Sequence, residues 1–143
     1  MVDLNIELPD SFLQEEEREG FLVSAKMKEL WAVQLDLLCE FDRVCKKYDL
    51  KYILEFCTLL GAIRHKGYIP WDDDLDVSML REDYDKLMEI GPKEFKQPYF
   101  LQSYLTEKNY DNCVTKLRRS DTLIIFRHLS SIIVFYKAGI RTP

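Results

Sequence analysis

The residues with the most evident chemistry are four carboxylates in five positions, in the run Trp71-Asp-Asp-Asp-Leu-Asp76. Carboxylates this close repel one another, and a nearby cation would offset that repulsion. Leu75, Val77 and Met79 alternate with Asp74, Asp76 and Ser78. That is the period-two pattern of a strand with one face in the core. Residues two apart on a strand project from the same face. Asp74 and Asp76 are therefore expected to point one way, with Cα atoms ~6.6 Å apart at ~3.3 Å rise per residue. Two hard oxygen ligands so placed suit Mg²⁺ (or Mn²⁺), which takes one or two carboxylates and completes its shell from water and substrate phosphates. Asp72 and Asp73 precede the strand, and their direction is not readable. A solvated acidic turn is the plainer alternative. The Asp-apolar-Asp alternation and the basic segment nearby favour the metal pair. A calcium loop fits less well, because its sixth position holds Val77 instead of Gly and its twelfth Asp83 instead of Glu.

Just upstream lies Thr58-Leu-Leu-Gly-Ala-Ile-Arg-His-Lys-Gly67. With Thr58 as cap, a helix from Leu59 to His65 would present free N–H groups, a ready anion seat. Gly61 allows close packing or backbone approach. Arg64, His65 and Lys66 place positive charge at the far end, where they could bind phosphate or simply complement the helix dipole. A phosphate seat beside a metal seat suggests a nucleoside di- or triphosphate bound between them. The candidate substrate-binding residues are thus Thr58, Gly61, Arg64, His65 and Lys66. The candidate catalytic and metal-binding residues are Asp74 and Asp76.

The elements that must position these groups follow from periodicity. Ser24 can cap a helix over 24–48, whose apolar stripe includes Leu30, Trp31, Leu37, Phe41 and Val44. Such a stripe is ordinarily core, although it could also dock a partner. Lys51-Tyr-Ile-Leu-Glu55 reads as a strand. Residues 81–90 read as a helix closed by Gly91-Pro92. Tyr99–Leu105, Cys113–Phe126 and Ile132–Tyr136 read as further strands, with turns at Asp111-Asn112 and Ser120-Asp121. This order implies an α+β domain, a mixed sheet with packed helices. Residues 1–23 carry seven acids and one Arg without periodicity, so a poorly ordered leader is expected there, ahead of a domain over 24–143.

Composition excludes several classes. The 143 residues are 47% hydrophobic and 31% charged, which is enough to build a core. The longest apolar run, Ile132 to Tyr136, is far short of the ~20 residues that cross a bilayer. A net charge of −5 argues against nucleic acid as a partner. Cys39, Cys45, Cys57 and Cys113 lack the spacing of a zinc site, and without a signal sequence reduced thiols in a cytoplasmic protein are expected.

Residues 58–77, Thr-Leu-Leu-Gly-Ala-Ile-Arg-His-Lys-Gly-Tyr-Ile-Pro-Trp-Asp-Asp-Asp-Leu-Asp-Val, closely resemble the signature of the LicD family of phosphocholine-type transferases related to fukutin. Arg81-Glu-Asp-Tyr-Asp-Lys-Leu87 and the helix before residue 50 are similar to that family as well. The resemblance implies a nucleotidyltransferase-like fold, with Asp74 and Asp76 as its Asp-x-Asp pair and Thr58 as the hydroxyl of its phosphate turn. It also implies Mg²⁺-dependent transfer of a phospho-substituent, such as phosphocholine or ribitol phosphate, from a CDP-linked donor to a glycan hydroxyl. Two departures accompany it. The family usually has glycine where this chain has Phe56 and Cys57. Family members also continue into a further acidic segment, whereas nothing after Asp121 here is acidic. The chain therefore reads as the N-terminal part of such a domain, either competent or a catalytically silent binding module.

Overall fold

The computed structural model describes residues 3–110, 114–122 and 131–137. Among these described residues, seven strands and three helices follow in the order β1 (Glu16–Arg18), β2 (Phe21–Val23), α1 (Ala25–Tyr48), β3 (Tyr52–Leu54), α2 (Phe56–Arg64), β4 (Leu75–Leu80), α3 (Arg81–Glu94), β5 (Tyr99–Gln102), β6 (Thr115–Arg119) and β7 (Ser131–Lys137). The expected α+β class holds. A five-stranded sheet is ordered β3-β4-β7-β6-β5, with β4 and β7 parallel and the other neighbours antiparallel.

Helix α1 begins where Ser24 Oγ accepts the Met27 N–H at 3.2 Å. It ends at Asp49, which takes a left-handed conformation (φ 53°) and returns its N–H to the Cys45 and Lys46 carbonyls. The stripe expected to be core is core. Leu37, Phe41 and Val44 are fully buried and pack with Leu75, Val77, Leu87, Leu101, Leu117, Ile132 and Val134. Of these partners Leu87 is on α3, and the others line the sheet face covered by α1 and α3. The sheet therefore presents Asp76 and Ser78 of β4, with Ile133 and Phe135 of β7, on its other face.

Several expectations are corrected. Helix α3 runs through Gly91-Pro92 to Glu94. Burial of Leu87, Met88, Gly91 and Phe95 outweighs the hydrogen bond that Pro92 cannot donate, and a Cβ on Gly91 would lie 2.5 Å from Leu101 Cδ2. Strand β5 ends at Gln102 because Ser103 turns the chain, its N–H going to Thr106 Oγ1 at 2.8 Å. Residues 3–23 hold more structure than their composition suggests. β1 and β2 form a hairpin, and Asn5 donates its N–H to Asp36 Oδ1 at 2.7 Å. Strand β6 closes at Arg119, short of the expected Phe126, because the chain bends at 120–122 where Ser120-Asp121 signals a turn. The expected turn at 111–112 and residues 123–126 lie outside the described residues.

Candidate active site

β4 and the loop before it position the carboxylates. Asp74 is half-buried one residue ahead of β4, and Asp76 is its second residue, only 6% exposed. The loop is held by α1, whose Trp31 Nε1 donates to the Asp72 carbonyl and Gln34 Nε2 to the Asp73 carbonyl, both at 2.8 Å. Sequence periodicity marks Trp31 as core but gives no sign of this second duty.

The acids strain against one another. Burial first, then the charges of Asp74, Asp72 and Glu55, push the Asp76 carboxyl up to about 6. Burial and the charges of Asp74 and Asp73 push Asp72 up to about 6 as well, and burial raises Asp74. Among the described residues no Lys, Arg or His forms an ion pair with Asp72, Asp73, Asp74 or Asp76. Asp76 Oδ1 is buried without a hydrogen-bond partner there. An orphaned buried carboxylate oxygen among like charges has the donor chemistry a hard cation needs. No group of three or more His, Cys, Asp or Glu among the described residues is placed to hold an ion. A divalent cation here would therefore have to draw its remaining ligands from water and substrate.

Glu55 is the residue the sequence reading missed. The pattern reads it only as the end of a strand, whereas its N–H donates to the Asp76 carbonyl at 3.0 Å, extending the β3–β4 ladder by one step and bringing Glu55 beside the acids. Leu54 opposite Val77 sets Glu55 opposite Asp76, a register that no local pattern in the sequence encodes.

Helix α2 starts three residues earlier than expected, at Phe56, with Glu55 as its N-cap residue. Thr58 is not the cap. Its hydroxyl instead accepts the Asp76 N–H at 2.9 Å and ties α2 to β4. Gly61 does admit a close backbone, but it is the chain's own. A Cβ there would lie 2.5 Å from the Gly67 carbonyl oxygen and 3.2 Å from the Ile69 nitrogen. Arg64, His65 and Lys66 stand at the other end of α2, with His65 about 10 Å along the axis from Thr58. Arg64 Nε contacts His65 Nε2 at 2.9 Å, His65 Nδ1 meets Glu19 Oε1 at 2.9 Å, and Lys66 Nζ donates to the Ile63 carbonyl at 2.9 Å. The structure thus gathers Thr58, Asp74 and Asp76 at one end of α2, and gives the three basic residues local partners at the other.

Phe56 occupies the turn with φ 46°, a left-handed conformation that glycine adopts without strain. Its ring meets that of Phe135 edge-on at 5.3 Å between centroids. Phe135 is on β7 opposite Ser78, and α2 follows β3, so the Phe56 ring reaches across β4. Beside Thr58 and Asp72, an apolar cavity of about 130 Å³ is lined by Leu35, Leu38, Leu54 and Tyr68. The Tyr68 ring stacks on Trp31 at 4.7 Å.

Residues 49–139 match the family model described as "LicD/FKTN/FKRP, nucleotidyltransferase domain". The chain belongs to this family. It is 40% identical over 77 residues to the lipopolysaccharide cholinephosphotransferase LicD of Haemophilus influenzae, covering 54% of this chain and 29% of that protein. It is 39% identical over 101 residues to an uncharacterized protein of Rickettsia prowazekii, covering 71% of this chain and 36% of the other. This LicD-family chain therefore spans about a third of the length of these relatives. No helix among its described residues is long and apolar enough to cross a membrane.

Proposed function

We propose that this LicD-family chain forms the donor-binding part of a phosphotransferase that moves a phosphocholine-like group from a CDP-linked donor to a glycan hydroxyl. The observation that carries the reading is the buried Asp76 carboxylate, with one oxygen unpartnered among the described residues and the charges of Asp74, Asp72 and Glu55 beside it. Asp74 and Asp76 would hold Mg²⁺ or Mn²⁺. When bound, such an ion supplies positive charge to neutralise the donor diphosphate. The chain's own residues supply the rest. Trp31 and Gln34 fix the loop that carries Asp72 to Asp74, and Thr58 fixes the β4 backbone at Asp76. The cavity beside Asp72 supports a quaternary ammonium as the transferred substituent, because it pairs an aromatic ring and apolar walls with a carboxylate. A cytoplasmic location belongs to the same proposal and rests on the free thiols of Cys39, Cys45 and Cys57.

A second reading, a silent nucleotide-binding module, is favoured by Phe56, whose ring crosses β4 where the family usually has glycine. Calorimetry with CDP-choline, with and without Mg²⁺, followed by a turnover assay, separates the two. Mg²⁺-dependent binding with turnover supports the transferase. Binding without turnover supports the module, and the absence of Mg²⁺-dependent binding removes both.

A further inference from the structure

The sheet face that carries Asp76 also carries two cations, set in register with the acids two strands away. Asp76 pairs with Ile133 of β7, and Ile133 pairs with Lys116 of β6. Paired residues share a face, so Asp76, Ile133 and Lys116 form one row across the sheet. The next row repeats the arrangement. Leu75 pairs with Ile132, which sets Asp74 level with residue 131, and residue 131 pairs with Arg118. Two carboxylates thus stand opposite two cations, about 10 Å apart at two strand spacings.

Burial agrees with this face assignment. Thr115, Leu117 and Arg119 of β6 are buried on the helix side, whereas Lys116 and Arg118 are half-buried on the other. Arg118 Nη1 donates to Gln102 Oε1 of β5 at 2.9 Å, so its guanidinium leans away from β7 and leaves Lys116 as the cation that faces the acids. Among the described residues no carboxylate lies within ion-pair distance of Lys116. The floor between the poles is Ile133, and the Phe56–Phe135 pair walls the gap on the Ser78 side.

We infer that Lys116 is an anion seat that takes the phosphate oxygens turned away from Asp74 and Asp76, so that a diphosphate lies across β7 between a carboxylate-held cation and the Lys116 ammonium. This inference rests on the donor-binding reading above and adds its second pole. An ammonium beside an anion makes a charge-assisted hydrogen bond. Lys116 is a positioning residue that grips the donor and takes no part in proton transfer.

The test is calorimetric titration of CDP in Mg²⁺ against the wild-type chain, Lys116→Met, Lys116→Arg and Asp76→Asn, with circular dichroism confirming that each is folded. The expected result is that Lys116→Met weakens Mg²⁺-dependent CDP binding about tenfold. Lys116→Arg recovers most of it, and Asp76→Asn removes the Mg²⁺ dependence. Wild-type affinity in Lys116→Met, with the Mg²⁺ dependence still lost in Asp76→Asn, overturns the anion seat and leaves the donor-binding reading standing. Wild-type behaviour in Asp76→Asn overturns that reading itself.

Discussion

The hydroxyl of Thr58 accepts the main-chain N–H of Asp76 at 2.9 Å, joining two elements 18 residues apart in sequence. The family resemblance suggested a phosphate-binding hydroxyl. The structure puts that oxygen to work holding the backbone of the buried Asp76. Thr58→Val removes the acceptor while keeping the shape, so it is expected to cost about 1–2 kcal/mol in denaturant unfolding, and Thr58→Ser well under 1 kcal/mol. A loss in Thr58→Ser with none in Thr58→Val would mean that the methyl group, not the hydroxyl, matters.

Phe56 stands where the backbone favours glycine and where its ring crosses β4. Phe56→Gly relieves the left-handed strain but loses the contact with Phe135. Phe56→Ala loses the contact and keeps the strain. Thermal melts are expected to place the Gly variant about 1 kcal/mol above the Ala variant. CDP-choline is expected to bind both more tightly than wild type if the ring obstructs the site, and no tighter if it does not.

On α1, Asp36 is buried and receives the Arg119 guanidinium, the Tyr99 hydroxyl at 2.8 Å and the Asn5 N–H. Arg119 reaches on to Asp121 at 2.8 Å and to the Asp3 carbonyl at 2.6 Å. This network clasps the N-terminal segment to β5 and β6. Arg119→Met strands a buried carboxylate and is expected to cost about 3–5 kcal/mol. A change below 1 kcal/mol by urea unfolding would show that the clasp contributes little.

The acid cluster makes an unusual pH profile. Asp76 and Asp72 titrate near 6 in the folded chain, above their ordinary value of 3.8. The folded state therefore binds more protons than the unfolded state between about pH 4 and 6. Stability from this source is present at the acid end of that window and is lost as pH rises through 6. Without divalent cation, Asp76→Asn is expected to be more stable than wild type at pH 7 by on the order of 1–3 kcal/mol. That advantage should shrink towards pH 4, where both forms are neutral at this position. Thermal melts in EDTA from pH 4 to 7 measure it, and a gap that widens on acidification would contradict the assignment.

Much of this arrangement is legible in the sequence. The α1 stripe, the capping Ser24 and the Asp-apolar-Asp alternation of β4 each follow from a local period. The start of α2 was misplaced because Thr58 looks like a cap, whereas tertiary pairing of Glu55 with Asp76 sets the boundary earlier. The Gly91-Pro92 stop was overridden by packing of α3 on Leu101. The opposition of Lys116 to Asp76 was invisible for another reason. It depends on the β4–β7–β6 order, which joins residues 40 apart through a third strand, and no local pattern encodes it.

The central claim is that Asp74 and Asp76 together hold a divalent ion that binds the donor diphosphate. The most direct measurement is electron paramagnetic resonance of Mn²⁺ titrated with the chain in the presence of CDP at pH 7.5. Wild type is expected to deplete the free Mn²⁺ signal with about one ion per chain, while Asp74→Asn and Asp76→Asn leave most of it free. Equal depletion by all three proteins would contradict the claim.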